Sequence, residues 1–172
     1  IAAGEEERFS RIKHDHGFPI KAIEFCLKRA GITAQDLDYV VFYEKPFVKF
    51  ERILMSTFAT FPKSWKVFRE SMLTWLTDKL WIKSLLKERL KIDAKKIVFA
   101  DHHMSHAAAS YFCSPFAESA VLTVDGAGEW TTSTMGYAQG NHIDIKQEMR
   151  FPHSIGLLYS AFTAFCGFEV NE

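Results

Sequence analysis

Cysteine is scarce in this chain, and its positions are far apart. The 172 residues contain three cysteines, Cys26, Cys113 and Cys166, and none of them belongs to a CxxC pair. An odd number of isolated cysteines argues against a disulfide framework and against a metal site built from thiolates. We therefore expect free, buried thiols in a protein of a reducing compartment, and we predict a cytoplasmic location.

The sequence also lacks an excess charge of either sign and a long apolar run. Its 21 basic residues balance its 21 acidic ones, so no positive field is predicted to attract nucleic acid. A membrane helix needs about 18 consecutive apolar residues, and neither such a run nor a signal peptide is found. With 48% hydrophobic residues, the sequence is typical of a globular domain.

Both ends of the sequence look cut. It opens IAAGEEERF without a methionine, and it closes GFEVNE directly after an apolar helical pattern. We expect the chain to be a piece of a longer protein.

Strand patterns alternate with helix patterns along the chain. FPIKAIEFCLKRAG is predicted to be a helix, with Pro19 near its start and Gly31 where a left-handed cap belongs, and EEERFSRIKHD before it is predicted to be a charged turn. Gly140-Asn141 between two alternating segments predicts a hairpin. This order predicts an α/β domain with a mixed sheet flanked by helices. The other predicted elements are the strands DYVVFYE, KIVFAD, SAVLTVDG, TTSTMGYAQ and HIDIKQEMRF and the helices HMSHAAASYF and SIGLLYSAFTAFCG.

From about residue 50 to 92, apolar residues recur at helical spacing with charged residues between them. The pattern predicts one or two amphipathic helices, inserted between core strands. A helical cap packed on the domain is the favoured interpretation, and a face for a partner or a membrane surface is the alternative. The apolar positions are Trp65, Phe68, Met72, Leu76, Ile82, Leu86 and Leu90.

Three histidines lie close together in DHHMSHAAA, at the end of a predicted strand. His102 and His106 are four residues apart, so on a helix their imidazoles share one face and can bind one divalent ion. His103 and His106 offer a similar spacing, although His103 is expected to point elsewhere if His102 is used. Polar residues that cap the start of a helix are the alternative to a metal site.

The acidic turn VDGAGEW follows an apolar strand further along the chain. Asp125 can supply an oxygen ligand to a metal. Gly126 and Gly128 allow close backbone approach, with free N–H donors for phosphate or carbonyl oxygens. An ordinary Asp-Gly hairpin turn is the alternative. Two histidines and a carboxylate would leave coordination positions open for a substrate, which permits acyl-type transfer.

Four motifs in order resemble the carbamoyltransferase family, which includes the nodulation protein NodU and antibiotic O-carbamoyltransferases. They are AAGEEERFSRIKHD, DHHMSHAAASYFCSPF, AVLTVDGAGEWTTSTMGYAQGN and FPHSIGLLYSAFTAFCGF. The resemblance extends from the first residue to the last and corresponds to the N-terminal part of the family. It implies a ribonuclease-H-like fold of the acetate and sugar kinase/Hsp70/actin superfamily, related to the tRNA threonylcarbamoyl-adenosine enzymes.

The resemblance implies a reaction in two stages. A separate YrdC-like domain makes carbamoyl-adenylate from carbamoyl phosphate and ATP. The domain seen here then transfers the carbamoyl group to a hydroxyl of a small-molecule acceptor. We expect 1–172 to be a partial domain that lacks the family's opening strand-turn and the YrdC-like domain, and to be inactive alone. Homodimerisation is left open.

The resemblance also assigns site residues. It implies a divalent metal, usually taken as iron, at His102, His106 and Asp125. Lys13 matches a lysine thought to contact the carbamoyl-adenylate, and a solvated surface lysine is the alternative. Lys13 and Asp125 are therefore the catalytic candidates. The candidates for binding the adenylate are Lys13, Asp125, Gly126, Gly128 and Glu129.

Two other functions stay open at this point. A sugar or acetate kinase of the same superfamily would use DGAG as a phosphate turn. Such an enzyme binds magnesium through carboxylates and waters, so it has no need of paired histidines. The second alternative is a non-catalytic binding or assembly half-domain, which would keep the fold without turnover.

Overall fold

The computed structural model describes residues 2–15, 17–77 and 79–170 of an α/β protein. The chain divides into two compact units, Ile1–Val40 with Lys83–Val98 and Val41–Ile82 with Phe99–Glu172. Two short strands, β1 (Val40–Phe42) and β2 (Ile97–Phe99), form a two-stranded sheet, and the division falls within both strands. The α/β class predicted from the sequence is confirmed.

The first unit contains the helices α1 (Glu6–Ser10) and α2 (Ile20–Ala30). The carboxylate of Glu6 accepts hydrogen bonds from the backbone N–H groups of Lys21 and Ala22, at 3.3 and 2.8 Å, and so satisfies free amides in the first turn of α2. Gly31 caps α2 with a φ of 71°, as predicted. The predicted charged turn is instead partly helical, because acidic side chains favour a helix N-terminus and α1 has two in its first turn.

Three helices occupy the region predicted to be a helical insertion. They are α3 (Pro46–Thr60), α4 (Trp65–Thr77) and α5 (Ile82–Leu90). The predicted helical character is confirmed, although the region contains three helices instead of one or two. The first helix also starts earlier than predicted, because Pro46 suits the first turn of a helix. The helices α3 and α4 belong to the second unit, whereas all of α5 after Ile82 belongs to the first. That this region is an insertion stays a prediction.

A three-stranded antiparallel sheet forms part of the second unit. Its strands are β3 (Glu118–Val124), β4 (Thr131–Gln139) and β5 (His142–Arg150), in the order β3-β4-β5. Gly140, with a φ of 58°, starts the predicted hairpin turn between β4 and β5. The described residues thus form two separate sheets rather than the one mixed sheet that was predicted. Short turns join β3 to β4 and β4 to β5, and such connections favour antiparallel pairing.

Helix α6 (His102–Tyr111) packs on one face of this sheet. Its residues Ala107 and Tyr111 form a buried cluster with Val121 of β3 and Ala138 of β4. Burial alternates with a period of two along β3 and along the second half of β4, as expected when one face of a sheet is covered. The side chains on the other face, Leu122, Val124, Met135 and Tyr137, are exposed.

His103 fixes the orientation of α6 on the sheet. Only 1% of this residue is exposed. Its Nε2 lies 2.9 Å from the carbonyl oxygen of Thr131, and its Nδ1 lies 2.7 Å from Oγ1 of Thr123. A carbonyl oxygen only accepts, so Nε2 carries the proton and Nδ1 accepts from the threonine hydroxyl. Both ring nitrogens of His103 therefore make hydrogen bonds within the fold. The expectation that His103 points away from His102 and His106 is confirmed.

Helix α7 (Ile155–Phe165) follows a short turn after β5. The Oγ of Ser154 accepts a hydrogen bond from the N–H of Leu157 at 3.0 Å, which is the ordinary N-cap contact. The same hydroxyl donates to the carbonyl oxygen of Gly126 at 2.7 Å. The start of α7 is therefore tied to the acidic turn after β3.

The three cysteines are free but not buried. Cys26 is partly exposed, and Cys113 and Cys166 are exposed. The last two follow the C-terminal ends of α6 and α7, where connecting segments lie on the surface, so the predicted burial is wrong. Within the described residues, no helix has the length and apolarity needed to cross a membrane.

The substitution His103→Gln tests whether His103 is neutral in the fold. Burial lowers the pKa of His103, whereas a histidine in the unfolded chain takes up a proton near pH 6.5. The stability that His103 contributes is therefore complete above about pH 6.5 and is lost as the pH falls below that value. We expect the difference in free energy of unfolding between wild type and His103→Gln to shrink from about pH 7.5 to about pH 5.5. Urea denaturation measures this difference in the free energy of unfolding. A difference that grows on acidification would contradict a neutral His103.

Candidate functional site

His102 and His106 lie side by side in the first turns of α6. Their Nε2 atoms are 3.1 Å apart, as the spacing of four residues on one helical face predicts. His102 is largely buried, whereas the side chain of His106 is 54% exposed. The pair therefore opens toward solvent on the His106 side.

Asp125 joins the two histidines from the end of β3. Its Oδ2 lies 2.6 Å from Nε2 of His102 and 3.6 Å from Nε2 of His106. One ligand atom from each of the three residues lies within 4.8 Å of the other two, and this is the one group with metal-binding geometry among the described residues. The structure thus brings together the three residues proposed as metal ligands, and metal binding itself stays a prediction.

The charges at this cluster suit a divalent cation. Burial raises the pKa of the Asp125 carboxyl, but the contacts with His102 and with the N–H of Gly126 outweigh this effect, so the pKa lies below its ordinary value. The carboxylate is therefore ionised near neutral pH. Two imidazole nitrogens and one carboxylate oxygen form a donor set that iron, zinc and manganese all accept.

A second carboxylate, Glu44, faces the other side of His102. Its Oε2 lies 3.6 Å from Nδ1 of His102 and 2.6 Å from Nζ of Lys49. The nearby carboxylate of Glu44 raises the pKa of His102, burial opposes this effect, and Asp125 adds to the rise, so the pKa of His102 lies above its ordinary value. Sequence reasoning missed Glu44, because it lies at the end of a predicted strand in no recognisable motif.

The small residues of the acidic turn have roles within the fold. The N–H of Gly126 donates to Oδ1 of Asp125 at 2.6 Å, and the N–H of Gly128 donates to the carbonyl oxygen of Thr131 at 3.0 Å. The expectation of free N–H donors at both glycines is therefore wrong for this conformation. A Cβ at Gly128 would lie 3.0 Å from Cδ2 of His102, so this glycine makes room for the histidine ring. Adenylate binding by either glycine stays a prediction.

Glu129 caps the helix that carries the histidines. It is 4% exposed, and its carboxylate accepts hydrogen bonds from the backbone N–H groups of Lys45, at 2.8 Å, and His102, at 3.2 Å. A buried carboxylate at a helix N-terminus satisfies otherwise free amides and interacts favourably with the helix dipole. The fold thus uses Glu129 as a cap, and its predicted contact with the adenylate stays a prediction.

Lys13 is exposed in the turn that follows α1, within the first unit. The cluster of His102, His106 and Asp125 belongs to the second unit. The proposed contact of Lys13 with the adenylate therefore stays a prediction from the resemblance.

Gly156, in the first turn of α7, is a further residue that sequence reasoning missed. A Cβ at this position would lie 2.5 Å from the carbonyl carbon of Asp125 and 2.7 Å from the backbone nitrogen of Gly126. The helix can therefore approach the acidic turn this closely only because residue 156 has no side chain. A glycine near the start of a predicted helix is the sequence signal that points to such an approach.

Gly156→Ala is expected to displace α7 from the acidic turn. Overpacking of this kind typically costs about 1–3 kcal/mol, and urea denaturation should show a loss of that size. The matched control is Gly126→Ala, because a Cβ there meets only Cδ2 of Leu157, at 3.6 Å. The control should stay within about 0.5 kcal/mol of wild type. Equal losses in the two variants would contradict the close approach.

Comparison with known proteins identifies relatives over the whole chain. Residues 1–172 match the family model described as Carbamoyltransferase N-terminus. The chain is 48% identical over 179 residues to the uncharacterized protein sll1178 of Synechocystis sp., covering 100% of this chain and 29% of that protein. It is 33% identical over 179 residues to the nodulation protein NolNO of Sinorhizobium fredii, covering 100% of this chain and 24% of that protein.

A more distant relative is the uncharacterized protein MJ1058 of Methanocaldococcus jannaschii. It is 27% identical over 217 residues, covering 96% of this chain and 36% of that protein. The chain thus spans less than two fifths of each of these three relatives. Because the family model matches every residue, the chain belongs to the carbamoyltransferase family, in the part described as its N-terminus.

Proposed function

We propose that this chain forms the carbamoyl-transfer site of an O-carbamoyltransferase. In this proposal His102, His106 and Asp125 hold a divalent metal, iron by resemblance to the family. The substrates are an ATP-derived carbamoyl-adenylate, made from carbamoyl phosphate and ATP by a YrdC-like domain, and the hydroxyl group of a small-molecule acceptor. The proposal rests on one observation, the convergence of three ligand atoms within 4.8 Å in a chain of the carbamoyltransferase family.

The donor set fits a metal that takes part in group transfer. Three protein ligands leave coordination positions open, whereas structural zinc sites are closed by four. The exposure of His106 and the partial exposure of Asp125 would give a substrate access to those positions. A metal bound there would act as a Lewis acid on a carbonyl or phosphoryl oxygen.

The transfer itself exchanges one bond at the carbamoyl carbon for another. The acceptor oxygen forms a bond to this carbon, the bond from the carbon to the phosphate oxygen breaks, and AMP leaves as the hydroxyl proton is released. Asp125, ionised at neutral pH, contributes negative charge on the metal side of the site. Lys13 would place a fixed cation beside the leaving phosphate, where charge develops in the transition state.

The alternative function is that of a sugar or acetate kinase, and the donor set argues against it. Kinases of the superfamily bind magnesium through carboxylates, waters and substrate phosphates, whereas two of the three converging side chains here are imidazoles. The family match supports the same choice.

Metal content tests the proposed ligands. The full-length protein, purified without chelator, should contain close to one transition-metal ion per chain in elemental analysis. His106→Ala and Asp125→Ala should each weaken metal binding by more than about 100-fold, the upper range for residues that only support a ligand. His142→Ala is the matched control, because His142 is an exposed histidine on β5 and should keep the metal. A wild-type protein that neither contains nor takes up metal would refute the site.

The reaction has its own test. The full-length protein should release AMP only when carbamoyl phosphate, ATP and an acceptor with a free hydroxyl are all present, and mass spectrometry should find a carbamoylated acceptor. His106→Ala should lower this rate by at least about 100-fold, as expected for loss of a metal ligand. ADP together with a phosphorylated acceptor would instead identify a kinase.

A further inference from the structure

We propose that Glu44 is a positioning residue that holds His102 as a metal ligand, and that Lys49 of α3 holds Glu44 in place. This inference rests on the proposed metal site. It gives α3, the first helix of the region whose role the sequence left open, a function in supporting that site. Neither residue is proposed to touch the substrate.

The contacts form a chain of four side chains. Asp125 faces Nε2 of His102 at 2.6 Å, and Glu44 faces Nδ1 of the same ring at 3.6 Å. Lys49 holds the same oxygen of Glu44 at 2.6 Å. Nδ1 of His102 is buried and has no hydrogen-bond partner among the described residues. A shift of a few tenths of an ångström would bring the Glu44 carboxylate into that distance.

The arrangement determines which nitrogen of His102 can bind a metal. A neutral imidazole carries one proton, and the other nitrogen offers the lone pair. A carboxylate opposite Nδ1 favours the proton on that nitrogen, and the lone pair then lies on Nε2, toward His106 and Asp125. Metal-binding histidines are commonly oriented in this way by a carboxylate behind them.

Helix α3 supplies the cation that stabilises the buried carboxylate of Glu44. Glu44 is 4% exposed, and an isolated buried carboxylate is unfavourable unless a cation is paired with it. Lys49, whose side chain is 20% exposed, lies one turn into α3 and supplies that cation. Burial lowers the pKa of Arg52, one turn further along α3, and the negative charges of Glu129 and Glu44 oppose this effect. Lys49 is therefore the cation of α3 that contacts Glu44.

Zinc binding to the full-length, metal-free protein tests the inference. We expect Glu44→Gln to weaken the affinity for Zn²⁺ by about 10- to 100-fold, measured by competition with a chromogenic chelator. Lys49→Met should weaken it by a smaller factor, because Glu44 keeps its charge but loses the cation that orients it. In the double variant, Lys49→Met should add no further loss, because its effect acts through Glu44.

The matched control is Glu129→Gln. Glu129 is also 4% exposed, but it contacts His102 through the backbone N–H and not through the ring. In ¹⁵N-histidine NMR of the Zn²⁺-loaded protein, the Nδ1–H proton of His102 should be shifted downfield by its carboxylate partner. This shift should be lost in Glu44→Gln and kept in Glu129→Gln, which a general loss of buried charge would not produce.

The outcomes separate this inference from the function on which it rests. A wild-type protein that does not bind Zn²⁺ refutes the metal site. If Glu44→Gln binds Zn²⁺ as tightly as the wild type and gives the same His102 signal, the role of Glu44 is overturned. The proposed metal site is unaffected by that result. If Glu44→Gln does not fold, Lys49→Met decides, because an unchanged affinity and an unchanged His102 signal in that variant overturn the inference.

Discussion

The first turn of α6 is held by hydrogen bonds on two sides, and every feature of the site depends on this anchoring. Buried Glu129 accepts from the N–H of His102, and buried His103 contacts β3 and β4 through both ring nitrogens. These contacts fix the rotation of the helix about its axis. Adjacent residues on a helix, such as His102 and His103, point about 100° apart. Anchoring His103 on the sheet therefore turns His102 and His106 toward the end of β3.

Two carboxylates and one cation line up with His102. The carboxylate of Asp125 lies on the solvent side of the ring, Glu44 lies behind it, and Lys49 lies behind Glu44. Each buried charge therefore has a neighbour of opposite sign or a set of amide donors, as burial requires. The same arrangement places a carboxylate on each side of the imidazole before any ligand binds, and preorganisation of this kind keeps the cost of binding low.

Local patterns predicted the candidate ligands well. The spacing of His102 and His106 on a predicted helix was sufficient to place their imidazoles side by side, because helical geometry acts over four residues. The hairpin at Gly140 and the cap at Gly31 were predictable for the same reason. Membership of the carbamoyltransferase family was also readable from the motifs alone, since four of them occur in order along the chain.

Features that depend on contacts between distant residues were not predictable. Glu44 and Lys49 lie in a segment without a motif, and only the tertiary structure brings them to His102, which is 58 positions from Glu44 in the sequence. Gly128 and Glu129 are predicted to bind the adenylate, and the sequence did not show that the fold also uses Gly128 to make room for an imidazole and Glu129 to cap α6. The sequence by itself thus determined which side chains are the candidate metal ligands and to which family the chain belongs. The tertiary structure alone decided how those side chains are oriented and which buried charges support them, because both depend on packing between residues far apart in the chain.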